Sequence, residues 1–218
     1  MELIDFSDLQ TRANAETADS PADIEDIYRL RLDFRFWDLV CMRDLAVGGK
    51  ATLDDLHTMI QACGNWLNYH LYSFEFMLDG KMTLAELPME DDMVFGERRM
   101  PAVDPRNITV ADAVSEFPSL LYSYDFGDGW EIMVNHLGFV DPDSVKQVSC
   151  CLFGKGDWPP DDVGAEDGFM RFLEVLKDPS KAEDEFYLRW IEETYFEKYS
   201  LARCNSNLRH WEDFRAMA

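Results

Sequence analysis

A chain of 218 residues with 47% hydrophobic and 13% aromatic side chains can fill the core of one domain. Its 43 acidic residues against 20 basic ones give a formal net charge of −23, which repels phosphate backbones and disfavours non-specific nucleic-acid binding. No apolar run is long enough to span a membrane, and Glu2, Asp5 and Asp8 stand where an export signal would carry positive charge, so a cytoplasmic protein without membrane association is expected.

Residues 1–23 hold six carboxylates against Arg12 and read as a flexible acidic arm, leaving 24–218 as a single domain. From Ile27, apolar Tyr28, Leu30, Leu32, Phe34 and Phe36 alternate with Arg29, Arg31, Asp33 and Arg35, the pattern of a half-buried strand. A second apolar run ends at Gly48-Gly49. Thr52 with Asp55 three residues later predicts a capping box, and Leu53, Leu56, Ile60 and Cys63 predict the buried stripe of the helix it opens. Tyr72 to Leu78 alternate again as a strand before Asp79-Gly80. Five carboxylates and no cation between Glu86 and Glu97, followed by Pro101 and Pro105, give residues 79–106 the character of an exposed acidic excursion.

Thr109 to Ala113 predict a helical turn, and Leu121 to Val140 a hairpin around Gly127-Asp128-Gly129. The remainder reads as helical. Phe169, Phe172, Leu173 and Leu176 form one apolar stripe; Ser180 and Glu183 predict a second capping box ahead of Phe186, Trp190 and Ile191; Leu208, Trp211 and Phe214 mark a last helix. The fold class expected is α+β, a mixed and mostly antiparallel sheet flanked by helices, with a helical group at the C-terminus.

The ordered set Ile27 to Leu32, Thr52 to Gln61, Trp66, His70 to Phe74, the hairpin Tyr124-Asp125-Phe126-Gly127-Asp128-Gly129-Trp130-Glu131 and Pro159-Pro160-Asp161-Asp162 resembles the plasmid pRiA ORF-3-like family, also described as insertion-element passengers of a TnpR-like type. The resemblance covers about residues 24–210. It implies an α+β fold and an association with plasmids and transposable elements, and it hands over no catalytic residues. Members often place a histidine after the Trp-Glu of the hairpin, where this chain has Ile132, and cysteines flanking the Pro-Pro motif, where it has Trp158 and Val163. If those groups hold a metal in relatives, most of its ligands are missing here.

Within the hairpin, Tyr124, Asp125, Asp128, Trp130 and Glu131, together with His70, are the candidate binding residues. Asp125 and Glu131 are the alternative ligands for a divalent cation, on the expectation that both point away from the aromatic face. Against that stands a structural reading, with Asp128 shaping the turn and Tyr124 and Trp130 in the core, and no metal or cofactor is expected. His57 and His70 fit buried, hydrogen-bonded histidines better than catalytic bases, because both are in phase with apolar neighbours. Five cysteines, an odd number, read as free thiols; Cys150-Cys151 lacks a second pair at zinc spacing, and Cys204 reads as isolated beside Arg203. Arg29, Arg31 and Arg35 could present a basic stripe to nucleic acid, but cross-strand pairing with carboxylates accounts for them more simply. The leading expectation is a non-enzymatic, mobile-element accessory protein acting through contacts with a protein partner, one with a basic surface being the fit for this charge. A divalent-metal enzyme and a nucleic-acid-binding factor are the alternatives.

Overall fold

A computed structural model describes residues 26–35, 39–88, 102–194 and 196–217 of the chain. The acidic arm expected at 1–23 lies outside the described residues. Among the described residues eight strands form one sheet, in the order β5-β4-β3-β6-β7-β1-β2-β8. In chain order they are β1 (Ile27–Phe34), β2 (Met42–Gly48), β3 (Tyr72–Leu78), β4 (Lys81–Glu86), β5 (Ala102–Val103), β6 (Ser119–Tyr124), β7 (Trp130–Val140) and β8 (Cys150–Lys155). Every pairing is antiparallel except β4 with β5, so the sheet is mixed and mostly antiparallel as expected. Helices α1 (Leu53–Gly64), α2 (Val110–Ala113), α3 (Ala165–Lys177), α4 (Glu185–Glu193) and α5 (Leu201–Leu208) accompany it, the last three gathered at the C-terminus.

Alternation sets the two faces of β1. Leu30, Leu32 and Phe34 are buried, while Arg29 and Arg31 point outward. β1 lies between β2, its neighbour in sequence, and β7, about a hundred residues downstream; Arg31 stands opposite Asp44 on one side and Asn135 on the other. Alternating antiparallel steps from β2 through β1, β7 and β6 leave β2 and β3 parallel to each other. Helix α1, which joins them, therefore crosses over the middle of the sheet. Its start is the capping box read from the sequence: Asp55 N donates to Thr52 Oγ1 at 3.1 Å and Thr52 N to Asp55 Oδ2 at 2.8 Å. Its end is Asn65, in the left-handed region at φ 58°.

Several expectations need correction. Within 79–106, residues 81–86 pair along β3 and residues 102–103 along β4, so these stretches are sheet and not excursion; residues 89–101 lie outside the described residues. The C-terminal part is not all helical, because Cys150–Lys155 adds β8 to the edge of β2. Ser180 does not cap α4. It sits in a 3-10 turn at Pro179–Lys181 capped by Asp178, and the helix is opened instead by Asp184, whose carboxylate accepts from Tyr187 N at 2.8 Å. Leu208 closes α5, while Trp211 and Phe214 belong to a 3-10 segment, Trp211–Met217, that packs against α1. The free edge of β8 is closed by a side chain: Asn205 of α5 accepts from Cys151 N at 2.7 Å and donates to Cys151 O at 2.9 Å, as a ninth strand would.

Candidate functional site

Three loops meet at one end of the sheet: residues 65–71 after α1, the hairpin tip 125–129, and the Pro159-Pro160-Asp161-Asp162 segment. Trp66 anchors the group. It is fully buried, stacks on Tyr124 with ring centroids 4.6 Å apart, and its Nε1 donates to Pro159 O at 2.8 Å. Gly64 permits the close approach, since a Cβ there would meet the indole of Trp158. Leu67 N and Tyr69 OH then hold the two aspartates of the motif, at 2.7 Å to Asp161 Oδ2 and 2.9 Å to Asp162 Oδ2.

The hairpin contributes differently from expectation. Tyr124 pairs with Trp130, both in the core, and the chain leaves the strand at Asp125 in the left-handed region, φ 50°. That rotation takes Asp125 out of the strand's alternation and turns its carboxylate inward, 7% exposed. Its Oδ1 accepts from Gly127 N at 3.0 Å and Asp128 N at 3.3 Å, so Asp125 shapes the turn in the role expected of Asp128. Asp128 reaches across instead to Gly164 N, 3.1 Å, ahead of α3. Glu131 lies on the outer face, bonded to Arg35 at 2.9 Å. Asp125 and Glu131 thus do not converge, and the cation pair suggested by their spacing does not form.

His70 takes the place expected of Glu131. Its Nε2 stands 3.1 Å from Asp162 Oδ1 and 3.7 Å from Asp125 Oδ2, with a quarter of the side chain exposed rather than buried. Among the described residues these three form a His/Asp/Asp group whose potential ligand atoms all lie within 4.8 Å of one another. Asp161, beside them, is lifted to about 6, mainly by burial and against the pull of Leu67 N, the Tyr124 hydroxyl and His70. Burial and neighbouring aspartates push the hydroxyls of Tyr124 and Tyr69 well above the ordinary phenol value, which keeps both as proton donors. Two concavities flank the group. One, ≈ 360 Å³, runs between the aspartate motif and the terminal helices past Arg43, Trp158 and Cys204. The other is bordered by Leu71, Leu87 and Phe126.

Other candidates resolve into structure. His57 is buried as expected, with Nδ1 2.8 Å from Tyr122 OH and Nε2 2.6 Å from Asn68 Oδ1; burial drives its pKa to about 3. Gln61 joins the same network through Tyr122 OH and Asn68 N. Arg29 and Arg31 both clasp the fully buried carboxylate of Asp44, at 2.5 and 2.7 Å. Burial would raise that carboxyl, but hydrogen bonds from the two guanidiniums outweigh it and hold it below the usual range. The cysteines of the described residues are free, and Cys150 and Cys151, consecutive on a strand, face opposite sides of the sheet. Cys204 is not isolated: it is buried, as are Cys63 and Cys151, and its thiol is pushed up with those two beside it. Arg43, missed from sequence, is buried, without a carboxylate partner among the described residues; it donates to the carbonyls of Met42, Lys155 and Gly156 and covers the ring of Tyr199 at 3.9 Å. Only its spacing in β2 could have marked it as inward.

The sheet and the loop cluster define an α+β protein with an imidazole–carboxylate group at one sheet end. The profile described as Plasmid pRiA4b ORF-3-like protein matches residues 26–207, and the chain belongs to that plasmid-associated family. The chain is 30% identical over 169 residues to the Uncharacterized protein y4hQ of Sinorhizobium fredii, covering 77% of this chain and 81% of that one. It also resembles the crystal structure of MM3350, a protein of unknown function from Methanosarcina mazei Go1. That match has a TM-score of 0.66 and 28% identity, covering 82% of this chain and 96% of the other. No helix among the described residues is long and apolar enough to cross a membrane.

Proposed function

We propose that the chain is an accessory protein that works by binding another protein, and that its docking face surrounds His70. One observation carries the reading: Leu67, Tyr69, Leu71 and Phe126, each about half exposed at 47, 48, 48 and 56%, are grouped around Asp125, Asp161 and Asp162. Large apolar side chains left outside a core at one place, ringed by charge of one sign, suit a complementary surface. The charge fixes the partner's chemistry. Among the described residues no lysine or arginine pairs with these three aspartates, so a segment carrying Lys or Arg beside apolar residues is the occupant that complements them. The arginines that a nucleic-acid reading needs are bonded to Asp44 and Glu131, which removes the support for that alternative.

The test is capture from extracts of the native host with the wild-type chain and with Phe126→Asp and Leu71→Asp, both at exposed positions. A specific protein retained by the wild type, weakened about tenfold or more by either variant and released by raised salt, is the expected result. Equal retention by all three chains would place docking elsewhere, and retention of nothing would remove the reading.

A further inference from the structure

We propose that His70, Asp125 and Asp162 bind one divalent first-row transition-metal ion, with coordination positions left open on the solvent side. The proposal does not rest on the docking reading. The donors come from three separate loops, one imidazole nitrogen and two carboxylate oxygens, all within 4.8 Å of one another. With bonds of about 2.1 Å, neighbouring ligands stand about 3.0 Å apart in an octahedron and about 3.4 Å in a tetrahedron. The distances from His70 Nε2 are 3.1 Å to Asp162 Oδ1, close to the octahedral spacing, and 3.7 Å to Asp125 Oδ2, about 0.3 Å beyond the tetrahedral one, so modest side-chain adjustments are required.

A second observation separates this group from an ordinary cluster of acids. Among the described residues the Nε2 of His70 is shut off from solvent and has no hydrogen-bond partner. Asp162 Oδ1 is near enough to accept, but it lies out of line for an N–H donor. A ring nitrogen aimed between two carboxylates and bonded to neither is the arrangement of a lone pair directed at a shared cation. Asp125 is already fixed for the task. Its Oδ1 is held by the turn amides of Gly127 and Asp128, leaving Oδ2 toward the imidazole.

Ligand chemistry selects the ion. An imidazole with two carboxylates suits Mn²⁺, Fe²⁺, Co²⁺ or Zn²⁺ better than Ca²⁺, which takes six to eight oxygens. Three protein donors, with Asp162 56% exposed, make an open site rather than a closed structural one. Asp161 is next to it, bonded through Leu67 N and Tyr124 OH, where it can accept from an ion-bound water.

The test uses the purified full chain, stripped with chelator and titrated with Mn²⁺ by calorimetry, with melting temperature followed in parallel. Mn²⁺ is the probe because thiolates bind it poorly, which keeps the five cysteines out of the measurement. The expected result is one ion per chain and a raised melting temperature. Asp162→Ala and His70→Ala should each weaken binding about tenfold or more, while Glu131→Gln leaves it unchanged. Asp162→Ala is decisive, since its exposed side chain can be removed without disturbing the turn that Asp125 holds. Absence of saturable binding, or binding that Asp162→Ala and His70→Ala leave intact, overturns the proposal. Because no partner is present, its outcome is independent of the capture experiment.

Discussion

At the scale of single residues, the buried His57 and the half-buried Asp161 pull stability in opposite directions with pH. His57 stays neutral when folded. Burial lowers it from 6.5 to about 3, with the Asn68 bond opposing and Arg215 adding to the shift. Below about pH 6.5 the unfolded chain takes up a proton that the folded chain refuses, so this contribution to stability is lost as pH falls toward 3. Asp161 has the opposite sign. Raised from 3.8 to about 6, it holds a proton when folded that the unfolded chain releases, so its contribution grows as pH falls from 6 toward 4. The two offset each other over that window. Asp161→Asn should uncover the His57 effect, a loss of about 2 kcal/mol between pH 6.5 and pH 5 in urea titrations, against a smaller change for the wild type. A variant as insensitive to pH as the parent would show that His57 is not held neutral.

Residue readings succeeded where regular periodicity applied and failed where it broke. His57 was legible because α1 keeps its 3.6-residue phase through the buried stripe. The pairing of Arg29 and Arg31 was legible because β1 alternates from Arg29 through Phe34, beyond the register shift at its start. Asp125 was not, since its left-handed backbone reverses the direction that alternation assigns. Nor could any spacing rule bring Asp162 to His70, because the two are brought together by Trp66 bonding to Pro159 O, Leu67 N to Asp161 and Tyr69 OH to Asp162, contacts between loops far apart in sequence.

Among the elements, α1, β1, β3, α2 and the β6–β7 hairpin carried their own signals of cap, alternation or turn. β8 did not. Cys150, Cys151, Leu152, Phe153 and Gly154 show no clean polar alternation and include a residue that weakens strands, so only pairing with β2 makes them one. β4 was concealed by its acidic surroundings in the same way. The Asn205 clamp on β8 gives this scale its prediction. Asn205→Ala leaves both main-chain groups of Cys151 without partners at the sheet edge and should cost about 1–3 kcal/mol in denaturant unfolding. It should also raise self-association in sedimentation, because an uncovered edge is a template for pairing. Unchanged stability together with an unchanged sedimentation profile would mean that the clamp contributes nothing.

For the molecule as a whole, the position of β1 between β2 and β7 decides when folding can begin. As the ribosome releases the chain, β1, β2 and α1 emerge early, but the strand that seals the other side of β1 starts only at Trp130. Until then Leu30, Leu32 and Phe34 have half a sheet to rest on. A fragment ending at Asp128 should therefore show no cooperative unfolding transition, while the full chain refolds slowly for its size, since its central pairing closes a loop of about a hundred residues. Fluorescence of Trp130, almost wholly buried once β7 docks, should report that late step in stopped-flow refolding. A cooperatively folded fragment would show that the first half assembles alone. Otherwise, the protein commits to its structure only after more than half of it has been synthesised.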